Sequence, residues 1–425
     1  MSICLFEDFS IASLLPLTHL QADFDLRSGI FTARQRVQNH FREEETCLLV
    51  RLGLVDVMRE RSGLHVNEAR DAWLYLNGRT ILDQELALLL NKSRGSDALI
   101  LNDHSVVAAV VETEEFRNVI ESWLKTGMLR QELAAGLVPE PVARVSVIRE
   151  YPARMYRFPW DLIHMNSALL REDATWMQPG IDVSAEVHPS VILVNPDEIR
   201  IGPGARIRAG SVLDASEGPV VIGPQAHIMP QSVLLGPLYI GNGTTIKVGA
   251  KLYEGTSIGP HCKIGGEVEG SIFHSFANKQ HDGFVGHSYF ASWTNLGADT
   301  NTSDLKNNYS DIRAVLEGRE YQTGLRFLGT IMAEHSKCGI NTMFNTGTVV
   351  GVGCNIFGGD FPPKAIPSFT WGGADGLVEH AFDRCASTAH IVMQRRSQVL
   401  TDAERRLLRD VYVLTAGQRE HLFTH

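Results

Sequence analysis

A short segment of the sequence, KQHDGFVGHSYF from Lys279, places two histidines six residues apart, beside a lysine and an aspartate. An imidazole titrates near neutral pH, so it can take a proton from a nucleophile and return it to a leaving group. His287 is therefore a candidate general base, whereas His281 and Asp282 are candidate substrate contacts, and Asp282 could orient either imidazole. Lys279 and the later Lys306 carry charges suited to a phosphate group. The alternative is a pair of solvated histidines with no chemical role.

A six-residue repeat surrounds this segment. Aliphatic residues open its hexads at positions 181, 187, 201, 207, 213, 222, 228, 234, 240, 246, 252, 258 and 264, and a small residue follows four places later. We place the same phase at Phe284, Phe290 and Leu296 and, after a break, at positions 328, 340, 346 and 352. A period of six suits neither a helix nor an alternating strand, but three hexads can form one coil of a three-sided prism with the aliphatic side chains on its axis. Stacked coils bury one continuous ladder, so the sequence predicts a parallel β-helix with both histidines at or near its corners.

The repeat resembles the hexapeptide pattern of the left-handed parallel β-helix, and the hand is taken from that resemblance. Domains with this pattern commonly assemble side by side, so the resemblance also implies a homotrimer. We assign residues 179–373 to this domain. The segment 374–425, which includes ERRLLRDVYVL, is predicted to form helices beside the prism.

The histidine segment resembles the acetyltransferase half of the bifunctional N-acetylglucosamine-1-phosphate uridyltransferase/glucosamine-1-phosphate acetyltransferase family. The matching residues are a Gly-His pair ending at His287, the run NLGADT from Asn295, and the pair Asn308-Tyr309. The resemblance implies that His287 is the base and that the others line the sugar site, with Asn295 able to stabilise a tetrahedral oxyanion. The spacing from His287 to Asn295 is shorter than in the family, and Asp299 replaces a glycine.

A later segment, NTGTVVGVGCNIFGGDFPPKAIPSFTWGG, resembles the last coils of hexapeptide acyltransferases. In that family these coils bind the pantetheine arm of coenzyme A along the prism edge, and a basic residue contacts the phosphates. The resemblance implies acetyl-CoA or another acyl-CoA as the donor, with Lys364 as the basic contact.

The first third of the chain alternates short apolar runs, such as SICLF, TCLLVRLGL and DALILND, with helical patterns such as ILDQELALLLNKS. This alternation predicts an α/β domain at residues 1–112 with a largely parallel, Rossmann-like sheet. A helical connector at residues 113–178 is predicted to follow it, because TEEFRNVIESWLKTGML has apolar residues at helical spacing.

The α/β part resembles the sugar-nucleotidyltransferase family in LLPLTHLQADFDLRSGIFTARQRV and AWLYLNGRTILDQEL. It departs from that family in three places, one of them Gln21-Ala22, where related sequences often have a basic residue and a proline. EDFSIAS stands where a Gly-rich loop would cradle the triphosphate, and Arg79 stands where the family's magnesium-binding aspartate is expected. Arg79 and Arg27 could contact phosphates through their guanidinium groups, or both could be surface arginines of a degenerate domain. Mg²⁺ and a nucleoside triphosphate are therefore expected only if this domain is active.

Net charge, apolar runs and cysteine spacing exclude some classes of partner and indicate a cellular location. The formal net charge of -10, with no evident basic cluster, argues against nucleic acid as a partner. The apolar runs are too short to span a bilayer, and the start MSICLFEDFSIASLLPL lacks the basic region of a signal peptide, so we expect no membrane partner and a cytoplasmic location. The six cysteines lack C-x-x-C spacing, which argues against a metal site.

These patterns predict a transferase that moves an acyl group from acyl-CoA to a sugar phosphate or nucleotide sugar, with His287 as the general base. Two alternatives stay open. The first is active sugar-1-phosphate nucleotidyl transfer by the N-terminal domain, and the second is a non-catalytic trimeric binding or scaffold protein.

Overall fold

The computed structural model describes residues 2–68, 71–103, 105–129 and 148–420. The chain forms two compact units, an N-terminal unit of Met1–Leu26 and Phe31–Phe158 and a C-terminal unit of Arg27–Ile30 and Pro159–His425. Residues 130–147 of the predicted connector and residues 421–425 of the predicted C-terminal helices lie outside the described residues. The domain limits at residues 112, 178 and 373 stay predictions.

The N-terminal unit is a mixed β-sheet with helices. Its helices are α1 (Ala33–His40), α2 (Val55–Ser62), α3 (Gln84–Lys92) and α4 (Glu114–Leu129). Its strands are β1 (Ser2–Phe6), β2 (Glu45–Leu49), β3 (His65–Val66), β4 (Ala72–Asn77), β5 (Ala98–Asn102), β6 (Ser105–Val110) and β7 (Ile148–Glu150). The strand order is β3-β2-β1-β4-β6-β5-β7, and only β6 runs antiparallel to its neighbours among these described strands.

The apolar runs form strands here because both of their faces are buried, as is usual at the centre of an α/β sheet. Every residue of β1 and β4 is buried. α3 begins after Asp83, whose side chain accepts a hydrogen bond from the backbone N–H of Leu86. Phe6 at the end of β1 pairs with Asn77 at the end of β4. The polar residues that follow these two strands therefore meet at one edge of the sheet.

The C-terminal unit is a parallel β-helix with α5 (Pro159–Ala174) before it and α6 (Phe382–Gln394), α7 (Asp402–Leu414) and α8 (Ala416–Glu420) after it. Its strands are β8 (Gly180–Ile181), β9 (Glu186–Val187), β10 (Ile192–Val194), β11 (Ile199–Ile201), β12 (Arg206–Ile207), β13 (Val212–Asp214), β14 (Val220–Ile222), β15 (His227–Ile228), β16 (Val233–Leu235), β17 (Leu238–Ile240), β18 (Thr245–Ile246), β19 (Lys251–Leu252), β20 (Thr256–Ile258), β21 (Lys263–Ile264), β22 (Glu267–Glu269), β23 (Ile272–Phe273), β24 (Asn278–Lys279), β25 (Phe284–Gly286), β26 (Tyr289–Phe290), β27 (Asn301–Thr302), β28 (Arg313–Leu316), β29 (Arg319–Gln322), β30 (Ile331–Met332), β31 (Lys337–Cys338), β32 (Met343–Phe344), β33 (Val349–Val350), β34 (Asn355–Ile356), β35 (Ala365–Ile366), β36 (Thr370–Gly373) and β37 (Gly376–Glu379).

The strands repeat in three parallel faces, one strand of each face per coil. Face A contains β8, β11, β14, β17, β20, β23, β26, β30, β33 and β35. Face B contains β9, β12, β15, β18, β21 and β24, and it continues through Asn295 to β31, β34 and β36, with β37 antiparallel to β36. Face C contains β10, β13, β16, β19, β22 and β25, followed by β27 and β32. The antiparallel hairpin β28–β29 lies within an insertion between β27 and β30.

The aliphatic ladder fills the axis of the prism, as predicted. The eleven predicted positions from 201 to 264 are each at most 2% exposed, and they form one cluster with Phe290 and Leu296. Each strand is only two or three residues long and pairs with the next coil in register. Stacking of these short strands buries a continuous apolar column that no single hexad could bury by itself.

The predicted phase is wrong at Phe284 and after the break. Val285 faces the axis, because it pairs in register with the interior Val268 of the preceding coil. Beyond the insertion the ladder restarts at Met332, which pairs with Phe290, and continues at positions 338, 344, 350 and 356. Ile340, which was predicted to lie on the axis, is 68% exposed. The insertion changes the number of residues between coils, so the earlier phase cannot be carried across it.

The predicted architecture is confirmed: an α/β unit precedes a parallel β-helix that ends in helices, and the left hand is taken from the hexapeptide resemblance. Within the described part of the chain, each helix is too short or too polar to cross a lipid bilayer.

Candidate active site

His287 lies at the corner where the chain passes from β25 on face C to β26 on face A, which we call the C/A corner. Its Nδ1 lies 2.8 Å from Oδ2 of Asp304, and the two side chains are 24% and 13% exposed. A carboxylate accepts hydrogen bonds, so Nδ1 carries the proton in the neutral imidazole and Nε2 carries the lone pair. Among the described residues, none forms a hydrogen bond with Nε2. The arrangement leaves the basic nitrogen for a substrate proton.

The backbone around His287 fixes this geometry. Its φ of 41° is in the left-handed region, which a tight corner requires, and its N–H donates to the carbonyl oxygen of Glu269 at 3.0 Å. The N–H of Gly329 donates to the carbonyl oxygen of His287 at 2.9 Å, and the N–H of Leu328 donates to that of Asp304 at the same distance. The insertion 303–327 thus leaves the prism and returns to it beside the imidazole.

The last residue of the insertion also contacts the base. The ring centroids of Phe327 and His287 are 5.1 Å apart. Phe327 is otherwise 43% exposed. An apolar ring beside the imidazole removes water from one side of it, which strengthens the hydrogen bond to Asp304.

The charge of His287 influences the pKa values of two neighbouring groups, Glu269 and His164. Burial raises the pKa of the Glu269 carboxyl and the charge of His287 opposes this rise, whereas neighbouring carboxylates, Asp304 among them, add to it. Burial lowers the pKa of His164 on α5, and the charge of His287 lowers it further. The carboxylates would stabilise an imidazolium that forms at His287, and a neutral His164 would not oppose it.

The structure does not bring the other predicted residues of the histidine segment to His287. His281 and Asp282 are exposed and lie at the corner between faces B and C, so the whole width of β25 separates them from His287. Asp304, and not Asp282, is the carboxylate that orients His287. Asn295 lies on face B, between β24 and β31, which is the face opposite the C/A corner in a three-sided coil.

Lys279 is an interior residue and is only 1% exposed. It pairs with the ladder residue Ile264, and its Nζ donates to the carbonyl oxygens of Gly265 at 3.0 Å and His281 at 2.8 Å. Burial lowers the pKa of its ammonium group to about 8, against the opposing charges of Asp282 and others. Its charge is engaged inside the prism wall and does not face a ligand.

The insertion and the last coils bring two lysines together. Nζ of Lys306 donates to the carbonyl oxygen of Asp311 at 2.5 Å, and Nζ of Lys364 donates to Oγ1 of Thr346 at 3.2 Å. Burial lowers the pKa of Lys364, and the charge of Lys306 lowers it further. Two ammonium groups that repel each other in this way form a site suited to an anion.

Asn308 and Tyr309 lie in the same insertion as Lys306. Both are exposed, Tyr309 by 64%, and Oδ1 of Asn308 accepts a hydrogen bond from the N–H of Ser310 at 3.1 Å. The structure therefore places these two residues on the surface loop that leads away from Asp304.

Neither predicted phosphate-binding arginine faces solvent. Arg79 is 1% exposed, donates through Nε to Oδ1 of Asp8 at 3.0 Å and through a terminal nitrogen to the carbonyl oxygen of Tyr156 at 3.1 Å. Arg27 is 5% exposed and belongs to the C-terminal unit, where its guanidinium lies 5.9 Å from the ring centroid of Tyr239. The guanidinium groups of Arg79 and Arg27 therefore contact other parts of the protein and not the solvent.

The edge of the N-terminal sheet does not fit Mg²⁺. Asp8 follows β1 and its carboxylate is already paired with Arg79, which follows β4. Burial raises the pKa of Asp23 well above its usual range, so this nearby carboxyl favours the neutral form. In the part of the chain that the structure describes, no group of three histidine, cysteine or acidic side chains could hold a metal ion.

The candidate site is an imidazole oriented by a carboxylate at one corner of a β-helix, and the same chain contains an α/β unit. Residues 3–181 match the family described as sugar nucleotidyl transferase. The chain is 27% identical over 194 residues to the bifunctional protein GlmU of Synechococcus sp. (strain CC9311), an alignment that covers 45% of this chain and 38% of that protein. The predicted relationship to the bifunctional family is confirmed.

A second relative is the bifunctional sugar-1-phosphate nucleotidylyltransferase/acetyltransferase of Sulfurisphaera tokodaii, which is 30% identical over 202 residues. This alignment covers 47% of this chain and 44% of the relative. The chain therefore spans less than half the length of both curated relatives. Among solved structures, the UDP-N-acetylglucosamine acyltransferase of Francisella novicida is similar at 14% identity, with 55% of this chain and 78% of that chain covered. The TM-score of this comparison is 0.25. The β-helix is defined by the strand pairing of the chain itself.

Sequence reasoning missed Asp304, Glu269, His164 and Phe327. Asp304 stands two residues after the ladder-like Thr302, where the hexads end and the polar insertion begins. That position was the only signal available for it in the sequence. Glu269 and His164 are brought to the site by the stacking of coils and by α5, which a single sequence does not specify.

Proposed function

We propose that this protein transfers an acyl group from a coenzyme A thioester to an amine or hydroxyl of a sugar phosphate or nucleotide sugar, with His287 as the general base. The observation that carries the proposal is the pair formed by His287 and Asp304, with Nε2 available at the C/A corner. The relative named above as a nucleotidylyltransferase/acetyltransferase, and the α/β part that matches a sugar nucleotidyl transferase family, support a transferase that acts on a sugar phosphate.

The reaction follows from the geometry at His287. As the acceptor attacks the thioester carbonyl, Nε2 takes the proton from the acceptor nitrogen or oxygen, and a new C–N or C–O bond forms. The imidazolium is stabilised by Asp304, and the nearby Glu269 adds a second negative charge. When the tetrahedral intermediate collapses, the C–S bond breaks and Nε2 returns the proton to the thiolate. General base catalysis of this kind contributes about 10²- to 10⁴-fold.

The phosphates of the donor fit the pair of lysines formed by Lys306 in the insertion and Lys364 in the last coils. The charge of Lys306 lowers the pKa of Lys364, and both ammonium groups donate hydrogen bonds to local oxygen acceptors. We assign them to the phosphates of coenzyme A. Asn308 and Tyr309 follow Lys306 on the exposed loop of the insertion, and we assign them to the acceptor.

Asn295 can contribute to the proposed site only if several copies of the chain assemble. It lies on the face opposite the corner that carries His287 in the same chain, so it can reach an imidazole only in a second copy. We propose that the homotrimer implied by the hexapeptide resemblance brings it there.

The test is release of thiol from acetyl-CoA in the presence of glucosamine 1-phosphate, with a panel of longer acyl-CoA donors and of nucleotide sugars beside it. We expect His287→Ala to lower kcat by about 10²- to 10⁴-fold. His281→Ala, at the other corner, is the matched control and should retain wild-type kcat. If His287→Ala leaves every activity and affinity unchanged, the chain is a binding or scaffold protein and the proposal is wrong.

Nucleotidyl transfer is the second candidate, because the family match covers the N-terminal unit. The internal pair of Arg79 and Asp8 opposes it, since it occupies the carboxylate that follows β1 and so removes one ligand for the metal that accompanies a triphosphate. Incubation with N-acetylglucosamine 1-phosphate, Mg²⁺ and each nucleoside triphosphate decides between the two. Release of pyrophosphate by the wild-type chain would establish this activity, and its absence from folded protein would reject it.

A further inference from the structure

The helix α5 follows the same edge of the β-helix that carries His287. It packs on β17, β20 and β26 of face A. The side chain of Asn166 donates to the carbonyl oxygen of Gly255 at 2.6 Å and accepts from the N–H of Gly29 at 2.6 Å. The carbonyl oxygen of Leu162 accepts from Oγ of Ser28 at 2.7 Å. These contacts lie within the C-terminal unit and fix both the position and the rotation of the helix.

Glycines make room for α5 at successive C/A corners. Gly255 and Gly270 have φ values of 69° and 52°, in the left-handed region that a side chain disfavours. A Cβ at Gly255 would lie 3.6 Å from Cβ of Ser167 on α5, and a Cβ at Gly270 would lie 3.0 Å from the ring of His287. At Gly255 and Gly270 the C/A corner therefore exposes only backbone towards α5. In the next coil His287 occupies the equivalent corner position, and its imidazole stands where the earlier coils have a glycine.

His164 continues the helix face that lies on this corner. Residues three or four positions apart share one face of a helix, so His164, Ser167 and Arg171 form a single row. Arg171 reaches the corner at Gly218, and Ser167 reaches it at Gly255. Three residues of helix advance about 4.5 Å, which matches the spacing of about 4.8 Å between stacked strands. His164 therefore lies one coil beyond Ser167, towards His287.

The charges support this placement. The positive charge of His287 lowers the pKa of His164, in addition to the effect of burial, whereas Asp161 on the same helix opposes the fall. The groups that face His287 from its own side are the carboxylates of Asp304 and Glu269. His164 is only partly covered by its neighbours, so its side chain is accessible to a ligand.

We propose that His164 is a positioning residue for the acceptor: its imidazole holds a second polar group of the sugar while His287 takes the proton from the first. The inference rests on the proposed acyl transfer. A sugar presents several neighbouring hydroxyl groups, and a base that contacts only one of them leaves the ring free to rotate away from the thioester. A neutral imidazole both donates and accepts hydrogen bonds, which suits a hydroxyl group.

The kinetic test compares His164→Ala, His164→Gln and the wild-type chain with acetyl-CoA and glucosamine 1-phosphate. We expect His164→Ala to raise the acceptor KM about 3- to 10-fold, the effect of one lost neutral hydrogen bond, and to leave the KM for acetyl-CoA unchanged. His164→Gln retains a donor and an acceptor and should recover part of the loss. His188→Ala, at an exposed histidine that follows β9 in the first coil, is the matched control. An unchanged acceptor KM, or an equal rise in both KM values, would overturn the proposal.

A second measurement is independent of activity. In protein with isotope-labelled histidine, the His164 resonance is identified by its absence from the His164→Gln spectrum and is titrated in the wild type and in His287→Gln. We expect the pKa of His164 to rise in His287→Gln, because a positive neighbour has been removed. An unchanged pKa would show that the two imidazoles are not neighbours and would reject the inference. If the wild-type chain transfers no acyl group, the proposed function fails, while this titration still decides whether the imidazole pair exists.

Discussion

Oδ2 of Asp304 accepts a hydrogen bond from Nδ1 of His287 across 2.8 Å, although the two residues are 17 positions apart in the chain. One full coil of the β-helix lies between them, from β26 to β27. The two residues meet because stacking superimposes equivalent positions of successive coils. Asp304 stands beyond β27 at nearly the place where His287 stands beyond β25, and the insertion that follows closes over both.

Asp304→Asn tests whether this contact orients the base. The amide cannot stabilise an imidazolium as a carboxylate does, and it permits the other tautomer of the neutral ring. We expect kcat for acyl transfer to fall by about 10²-fold, the lower end of what a positioned base contributes, with the KM for acetyl-CoA unchanged. Asp282→Asn, an exposed carboxylate at another corner, should have wild-type kcat. Equal rates for the two variants would contradict the assigned role of Asp304.

The sequence predicted the base but only part of its surroundings. The hexads place His287 at a corner, because its position follows from the count of residues along one coil. Asp304 comes from the next coil and Glu269 from the preceding one, so their approach depends on how coils stack and on where the insertion returns. His164 comes from a helix outside the repeat. A period of six describes one dimension of the prism and carries no information about what packs on its corners.

The phase of the ladder beyond the insertion can be tested by paired substitutions. Met332 is fully buried in the axial cluster, so Met332→Ala removes packed apolar volume and should lower the free energy of unfolding by about 2–5 kcal/mol. Ile340 is 68% exposed, and Ile340→Ala should change it by less than about 0.5 kcal/mol. Urea unfolding at constant m-value measures both. A larger cost for Ile340→Ala than for Met332→Ala would restore the phase predicted from the sequence.

The regular coils could be predicted and the irregular ones could not, for a physical reason. From Ile201 to Ile264 each predicted hexad begins with an aliphatic residue. All of these residues are buried on the axis of the prism. At the sixth coil Lys279 occupies an axial position, and aromatic Phe284 stands next to the true axial Val285. A pattern based on hydrophobicity assigns Phe284 to the axis and overlooks a lysine that is satisfied by two carbonyl oxygens.

Lys279→Met tests the cost of that buried ammonium group. The pKa of Lys279 is about 8 in the folded chain, below the value of about 10.4 of an unfolded lysine. Between these values the unfolded chain binds more protons, so this group makes stability rise with pH, and it contributes its full destabilisation below pH 8. The shift corresponds to about 3 kcal/mol.

The measurement is the free energy of unfolding of the wild type minus that of Lys279→Met, taken at pH 7, 8, 9 and 10 under identical conditions. The difference removes the contributions of other lysines and cysteines that titrate in this range. We expect the difference to increase as the pH rises, because only the wild type has the lysine with the lowered pKa. Its absolute value also reflects the carbonyl oxygens of Gly265 and His281, which methionine leaves without a donor. Lys251→Met, at an exposed lysine of face C, should show no such slope. A difference that falls with pH would mean that Lys279 is not buried in the prism wall.

Arg79 and Asp8 close the edge of the N-terminal sheet, and a double-mutant cycle tests their dependence on each other. Burial alone would raise the pKa of Asp8, but the charge and hydrogen bonds of Arg79 outweigh it and lower that pKa. Arg79→Met leaves a buried carboxylate without its partner, so we expect a loss of about 3–5 kcal/mol at pH 7. The double variant with Asp8→Asn should lose less than the sum of the two single variants, because no unpaired charge remains.

The same cycle has a defined dependence on pH. The folded pKa of Asp8 lies below its unfolded value, so the stability that the pair supplies is present above the unfolded pKa of about 3.9 and is lost as the pH falls through the lower folded value. The cost of Arg79→Met should therefore shrink in acid. Arg59→Met, in a pair with Glu68 whose side chains are 48% and 45% exposed, is the control and should cost at most about 1 kcal/mol. Additive costs for Arg79 and Asp8 at pH 7 would show that the two residues are independent, and the sheet edge would then be open to a metal ion after all.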